Sequence, residues 1–175
     1  MAFTSFAFLV FVALVVIAYY IAPVKYRWIV LLAASYYYYL DASAKSFIFI
    51  VTTTVVTFFG AIYIDKEDKK QKQYIADHRA EMTREERKAY KESAGKTKKR
   101  ALAAVLCIDF GILILLKYFR YYFEVLGIDL FKGDILIPLG ISFYTFQSAA
   151  YLIDVYRGKY EADRHLAKFA LFVSF

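Results

Sequence analysis

Asp109 is the only acidic side chain in the apolar run Ala101–Tyr118. The run has the period and length of a helix, which places Asp109 about eight residues, or about 12 Å, along its axis. A carboxylate at that depth in a bilayer costs roughly 2.5–3.5 kcal/mol, so it must face protein or a water-filled cavity. The next apolar segment supplies partners: Ser142, Tyr144, Thr145, Gln147 and Ser148 make it the most polar of the chain's apolar stretches. Two readings stay open for Asp109. It is either an interhelical polar clamp or part of the wall of a substrate channel.

The other reactive residue types are sparse. The two histidines, His78 in a charged loop and His165 beside Arg164, have no acid or nucleophile at instructive spacing and read as surface positions. The single cysteine, Cys107, lies in an apolar stretch and reads as a small buried residue. One cysteine excludes an intrachain disulfide, and no zinc-ligand spacing occurs, so no metal site is expected. No nucleophile elbow, zinc-protease helix motif, phosphate-binding loop or dinucleotide fingerprint is present. Thr52, Thr53, Thr54, Thr57 and Gly60 form a small and hydroxylated stripe suited to close helix packing. The reaction is not readable from these residues alone.

The elements that must position these residues are apolar helices. Hydrophobic residues make up 61% of the 175 and charged residues only 22%, where a soluble domain is nearer one half apolar. Met1–Val24, Ser46–Ile64 and Ile135–Ile153 contain no charged side chain. Runs of about 20 residues match a hydrocarbon core about 30 Å thick. The fold class is therefore all-α, a polytopic transmembrane bundle of about five spans plus the start of a sixth. Helix 1 covers Phe3 to Ala22, ended by Pro23. Helix 2 covers Trp28 to Leu40, helix 3 Ser46 to Ile64, and helix 4 Ala101 to Tyr118. Helix 5 starts at Pro138, which suits a first helical turn and disfavours helical geometry at Ile137; a kink within a longer helix is the alternative. A sixth segment begins near Leu166. The first segment lacks a basic n-region and is too long for a signal peptide, so it reads as a retained span.

Three regions follow: 1–64 with three spans, a charged loop at 65–100, and 101–175 with helices 4, 5 and the start of 6. In the loop, Asp68–Lys72 and Glu92–Lys96 have helical i,i+4 spacing. Ile75, Met82 and Ala89 recur every seven residues, and Thr83-Arg84-Glu85-Glu86 has capping-box spacing. Two short surface helices at the cytoplasmic leaflet are predicted, the second starting at Thr83 and stopping at Gly95; the loop reads either as a solvated charged linker or as a contact with anionic headgroups. With the N-terminus outside, about 19 Lys and Arg fall in inner loops and about 4 outside, the positive-inside bias. The net charge of +7 thus fits topology, and no nucleic-acid partner is expected. Tyr19, Tyr20, Tyr26 and Trp28, the run Tyr36–Tyr39, and Tyr118, Tyr121 and Tyr122 stand at span ends, as interfacial belt residues do.

The stretch Ile137-Pro-Leu-Gly-Ile-Ser-Phe-Tyr-Thr-Phe-Gln147, continued by Tyr151-Leu-Ile-Asp-Val-Tyr-Arg-Gly158, resembles a signature of the membrane-bound O-acyltransferase family, closest to its alginate O-acetylation branch. Leu116-Lys-Tyr-Phe-Arg-Tyr-Tyr-Phe123 also resembles that branch, with Arg120 where Asn is expected. The resemblance implies a polytopic enzyme of the cell membrane with a central funnel. It implies an acyl donor such as acetyl-CoA or a carrier thioester and no bound cofactor. An SGNH-hydrolase-like extracytoplasmic partner and a cell-surface polysaccharide acceptor follow in the same way. The family's catalytic histidine lies in a later helical region, and neither His78 nor His165 matches it. No catalytic residue is assigned in this chain, which is expected to be the N-terminal part of a longer protein and inactive alone. Asp109, Tyr144 and Gln147 are the candidate polar wall contacts. A transporter or channel using Asp109 as an ion site, and a non-catalytic scaffold docking through 65–100, are the alternatives.

Overall fold

The computed structural model describes residues 5–42, 44–78, 82–119, 125 and 140–175. Six α-helices are described: α1 Phe6–Ile21, α2 Arg27–Ala42, α3 Ala44–Asp77, α4 Arg84–Ile114, α5 Ile141–Tyr156 and α6 Leu166–Ser174. A 3₁₀ turn, Val24–Tyr26, joins α1 to α2, and a π-helical turn, Leu115–Phe119, continues α4. No strand occurs among the described residues. The places of Pro138, Arg120, Tyr121, Tyr122 and Lys132 lie outside them.

Helix termini follow local chemistry. Ser5 caps α1, its hydroxyl accepting from the Phe8 N–H at 3.2 Å. Pro23 then stops α1 from continuing, having no N–H to extend the ladder. Arg27, at the start of α2, turns back to donate to the Ala22 carbonyl and lays its guanidinium over the Tyr19 and Tyr20 rings at 5.1 and 5.8 Å. The capping box at Thr83 is formed as its spacing predicts: Glu86 N–H donates to the Thr83 hydroxyl and Thr83 N–H to the Glu86 carboxylate.

The charged loop differs from its expectation. In place of two short surface helices, α3 runs unbroken from its apolar half through Asp77, and α4 runs from Thr83 through Gly95 into its apolar half. A mid-helix glycine costs about 1 kcal/mol relative to alanine, which packing between the two extensions overrides. The Gln71 amide donates to the Lys91 carbonyl at 3.3 Å, and Asp68 accepts from both Lys72 and Lys98. Tyr74 stacks between Tyr90 and His78, with ring centroids 4.5 and 4.4 Å away. The apolar halves and the charged extensions thus form one long helical hairpin.

The core sits where α3, α4 and α5 pack on one another; α6 adds to it from the side of α2 and α3. One cluster joins Ile50, Phe58, Leu113, Ile141, Tyr144, Phe169 and Val173, and a second joins Ala61, Ile64, Val105, Leu152, Val155 and Ala162. At Gly60 the helices approach so closely that a Cβ would stand 2.5 Å from Val105 Cγ2. This is the packing role that the small-residue stripe predicts. α1 buries none of its residues and meets α2 through Phe8 and Phe11 against Tyr37 and Tyr38. Tyr38 is therefore a buried helix-to-helix contact as well as a member of the tyrosine run.

Among the described residues two helices, Phe47–Asp77 and Arg84–Tyr118, are long and apolar enough to cross a membrane; Phe6–Ile21 is apolar but shorter. Their outward faces agree with a lipid solvent. Leu9, Leu14, Ile17, Phe59, Ile108, Ile114, Phe143 and Phe146 are all exposed, far more large apolar surface than water tolerates on one small chain. Cys107, expected to be buried, is on this outward face. Val105, Asp109 and Leu113 form the buried stripe of α4 at i,i+4 spacing, and a residue two positions from that stripe points the other way.

Candidate functional site

The buried stripes of three helices bring one polar group of side chains together. On α3, Thr53 and Thr57 stand one turn apart; on α5, Tyr144 and Ser148 do the same; Asp109 comes from α4. Each of these is essentially inaccessible, Asp109 at 0% exposure. Thr57 Oγ1 donates to Asp109 Oδ2 at 2.8 Å, joining α3 to α4. Tyr144 lies within electrostatic range of both Asp109 and Tyr39. Thr145 is buried beside them on the same helix. The sequence pairs Asp109 with the polar residues of helix 5; the structure adds α3, and its threonine supplies the bond.

Gln147 points elsewhere. Its Nε2 donates to the Phe172 carbonyl at 2.8 Å, tying α5 to α6. Asp109 and Tyr144 thus share one interior, and Gln147 borders the neighbouring helix. Neither histidine joins them. His78 ends α3, stacked on Tyr74 with Nδ1 3.1 Å from the Tyr74 carbonyl oxygen. His165 is exposed at the start of α6, its backbone N–H donating to Asp163 Oδ1 at 2.9 Å.

A second polar arrangement holds the α5–α6 turn to the base of α3, and the sequence reading missed it. Arg164 Nη2 donates to the buried Asp65 carboxylate at 2.8 Å, and Lys69 bridges Asp65 and Glu161 at 3.2 and 2.7 Å. Asp163 N–H donates to Tyr151 Oη at 2.8 Å. Lys69 holds the Glu161 carboxyl below the usual glutamate range, first by its hydrogen bond and then by its charge. The available signal was Asp65 at the junction of apolar and charged sequence, but its partner Arg164 lies 99 residues away, beyond any local pattern.

A cavity of about 500 Å³ opens between α1 and α2, bordered by Phe8, Phe11, Val15, Leu31, Tyr39 and Phe143. Its walls are mostly apolar, and none of Asp109, Tyr144 or Gln147 lines it. The polar interior and the cavity adjoin at Tyr39, which lines the cavity and packs against the cluster that holds Tyr144. The former holds a carboxylate and hydroxyls away from the surface; the latter is mostly apolar, with Ser35, Tyr38, Tyr39 and Ser174 also on its wall.

Comparison with known proteins bears on what such a bundle does. The chain is 40% identical over 83 residues to a probable alginate O-acetylase, AlgI, of Azotobacter vinelandii, covering 43% of this chain and 17% of the relative. It is 39% identical over 87 residues to the probable alginate O-acetylase of Pseudomonas putida, covering 45% of this chain and 18% of the relative. Over a shorter 40 residues it is 60% identical to that of Pseudomonas aeruginosa, covering 23% of this chain and 8% of the relative. The matched segments therefore span less than a fifth of these relatives. No family model matches the chain, and no solved structure matches it. The resemblance to the alginate O-acetylation branch of the membrane-bound O-acyltransferases, read first in the motif through Gln147 and Gly158, is shown in these matches to probable alginate O-acetylases.

Proposed function

We infer that this chain forms part of a membrane-bound O-acyltransferase that transfers acyl groups, acetyl above all, to an extracytoplasmic polysaccharide. The observation that carries the reading is 60% identity over 40 residues to a probable alginate O-acetylase. A bundle of apolar helices around a buried polar interior suits such chemistry. In acyl transfer from a thioester, a hydroxyl oxygen attacks the carbonyl carbon and the thiolate leaves. The attacking hydroxyl must give up its proton to a base, and water must be kept from competing. The donor is a thioester such as acetyl-CoA or an acyl carrier, and an SGNH-hydrolase-like protein outside the membrane receives or relays the group.

In this reading the chain supplies scaffold and wall. Asp109 and Tyr144 border the acyl path from the α3–α4–α5 interior, and Gln147 from the α5–α6 contact. No residue of this chain is assigned the role of base. Five helices cross the membrane and a sixth begins, with the N-terminus outside and the charged hairpin in the cytoplasm.

Disrupting the gene in its source cells and quantifying O-acetyl groups on the surface polysaccharide tests the reading. Loss of acetyl, restored by the intact gene, supports it. Unchanged acetylation with a changed flux of a small ion or solute points to a transporter instead. For topology, single cysteines at Ser93 and at Ala22 should both label from the cytoplasmic side with an impermeant maleimide, in a Cys107→Ser background. Labelling of Ser93→Cys from outside overturns the orientation.

A further inference from the structure

Hydroxyls on a helix have a partner at hand, the carbonyl one turn back. Thr52 and Thr54 take it, donating to the Ile48 and Ile50 carbonyls at 2.8 and 2.7 Å. Thr53, between them, does not, and neither does Ser148 on α5. Both side chains are fully buried. Tyr144 Oη and Asp109 Oδ1 are in the same condition: among the described residues, none of these four oxygens has a hydrogen-bond partner. A buried polar atom left so costs about 1–3 kcal/mol, and a carboxylate more. Four such atoms lie on the packed faces of three adjoining helices, where so many call for an explanation; Gln147 Oε1, also without a partner, stands apart from them at the α5–α6 contact.

Their chemistry is uniform. All are oxygens: one carboxylate, two aliphatic hydroxyls and one phenol. The described buried residues of the interior include no Lys or Arg that could balance Asp109. Oxygen donors suit hard cations. With one carboxylate, a single positive charge is neutralised, whereas a divalent ion would leave an uncompensated charge in a low dielectric. Thr57 occupies the other carboxylate oxygen, leaving Oδ1 without a partner among the described residues.

We propose that Thr53, Asp109, Tyr144 and Ser148 form an intramembrane binding site for one monovalent alkali cation, with sodium the probe that tests it. The ion neutralises Asp109 and satisfies the four oxygens that lack partners, locking α3, α4 and α5 together. The site goes beyond the acyl-transfer reading and does not depend on it.

The purified full-length protein in detergent is unfolded thermally in sodium chloride and in choline chloride at equal ionic strength. Sodium should raise the midpoint by at least about 3 °C. The increment should vanish in Asp109→Asn, which in choline should be at least as stable as the wild type because it removes an unneutralised charge. Thr53→Val and Ser148→Ala remove hydroxyls that make no hydrogen bond among the described residues and so should fold; each should weaken the apparent sodium affinity severalfold, so the test stands even where Asp109→Asn fails to fold. Equal midpoints in sodium and choline overturn the proposal. So does a sodium increment that survives unchanged in Asp109→Asn, or in both hydroxyl variants. No acyl transfer is measured, so loss of the enzymatic reading leaves this result interpretable.

Discussion

At the scale of single residues, the interior depends on which hydroxyls turn towards Asp109. Thr57 is its cross-helix donor at 2.8 Å. Thr57→Val keeps the shape and removes the bond, so it should destabilise the protein by about 1–3 kcal/mol, whereas Thr57→Ser should cost much less. Chemical denaturation in a fixed detergent measures both; equal stabilities of the Val and Ser variants would show that the bond contributes nothing. Gly60 poses a different problem. A methyl there meets Val105 Cγ2 at 2.5 Å, and overpacking of this kind costs about 1–3 kcal/mol. Alanine regains about 1 kcal/mol of helix propensity, so Gly60→Ala should lose about 1 kcal/mol net by the same denaturation measurement. Val105→Ala in the same molecule should reverse the clash, a coupling that a double-mutant cycle reads directly.

At the scale of elements, the charged halves of α3 and α4 are extensions of apolar helices. Their ends can therefore fray without disturbing the core. Thr83→Ala removes the cap of α4 and should cost about 1 kcal/mol locally. Hydrogen exchange should rise at Glu85–Lys88 and stay unchanged near Asp109; faster exchange along the whole of α4 would mean that the cap holds more than its own turn. The α5–α6 turn depends on pH. Lys69 holds Glu161 below the ordinary glutamate value of 4.5, so the folded form binds its proton less readily than the unfolded one. The contribution of this pair is complete above about pH 4.5 and declines as pH falls through the lower folded value. Amide exchange at 159–164, corrected for the intrinsic rate, should accelerate across that window in the wild type and not in Glu161→Gln.

At the scale of the whole molecule, the exposed apolar faces of α1, α3, α4 and α5 suit a lipid environment. The protein should remain in the pelleted membranes after alkaline carbonate washing. Release into the supernatant as a monodisperse species would remove the basis for every span assigned above. The groove between α1 and α2 belongs to this scale as well. None of Thr53, Asp109, Tyr144 and Ser148 lines it, so substitutions that fill its α1 side, such as Val15→Phe, should leave the stability increment from sodium intact.

Much of this was legible along the chain. Uncharged stretches of bilayer length announced apolar helices, because an apolar run needs no knowledge of its neighbours to reveal its solvent. The Thr83–Glu86 cap was legible for the same reason, being complete within four residues, and Asp109 stood out against its own helix. What the chain could not show was partnership. Gly95 looked like a stop until the contacts of Gln71 with Lys91 and of Asp68 with Lys98 held α4 straight through it. Cys107 looked buried because its neighbours are apolar, yet its face of α4 is turned outward. The meeting of Thr57 with Asp109, and of Asp65 with Arg164, joins residues 52 and 99 positions apart. Local composition determines what solvent a segment prefers; only the packing of helices against one another decides which side chain its buried face will meet.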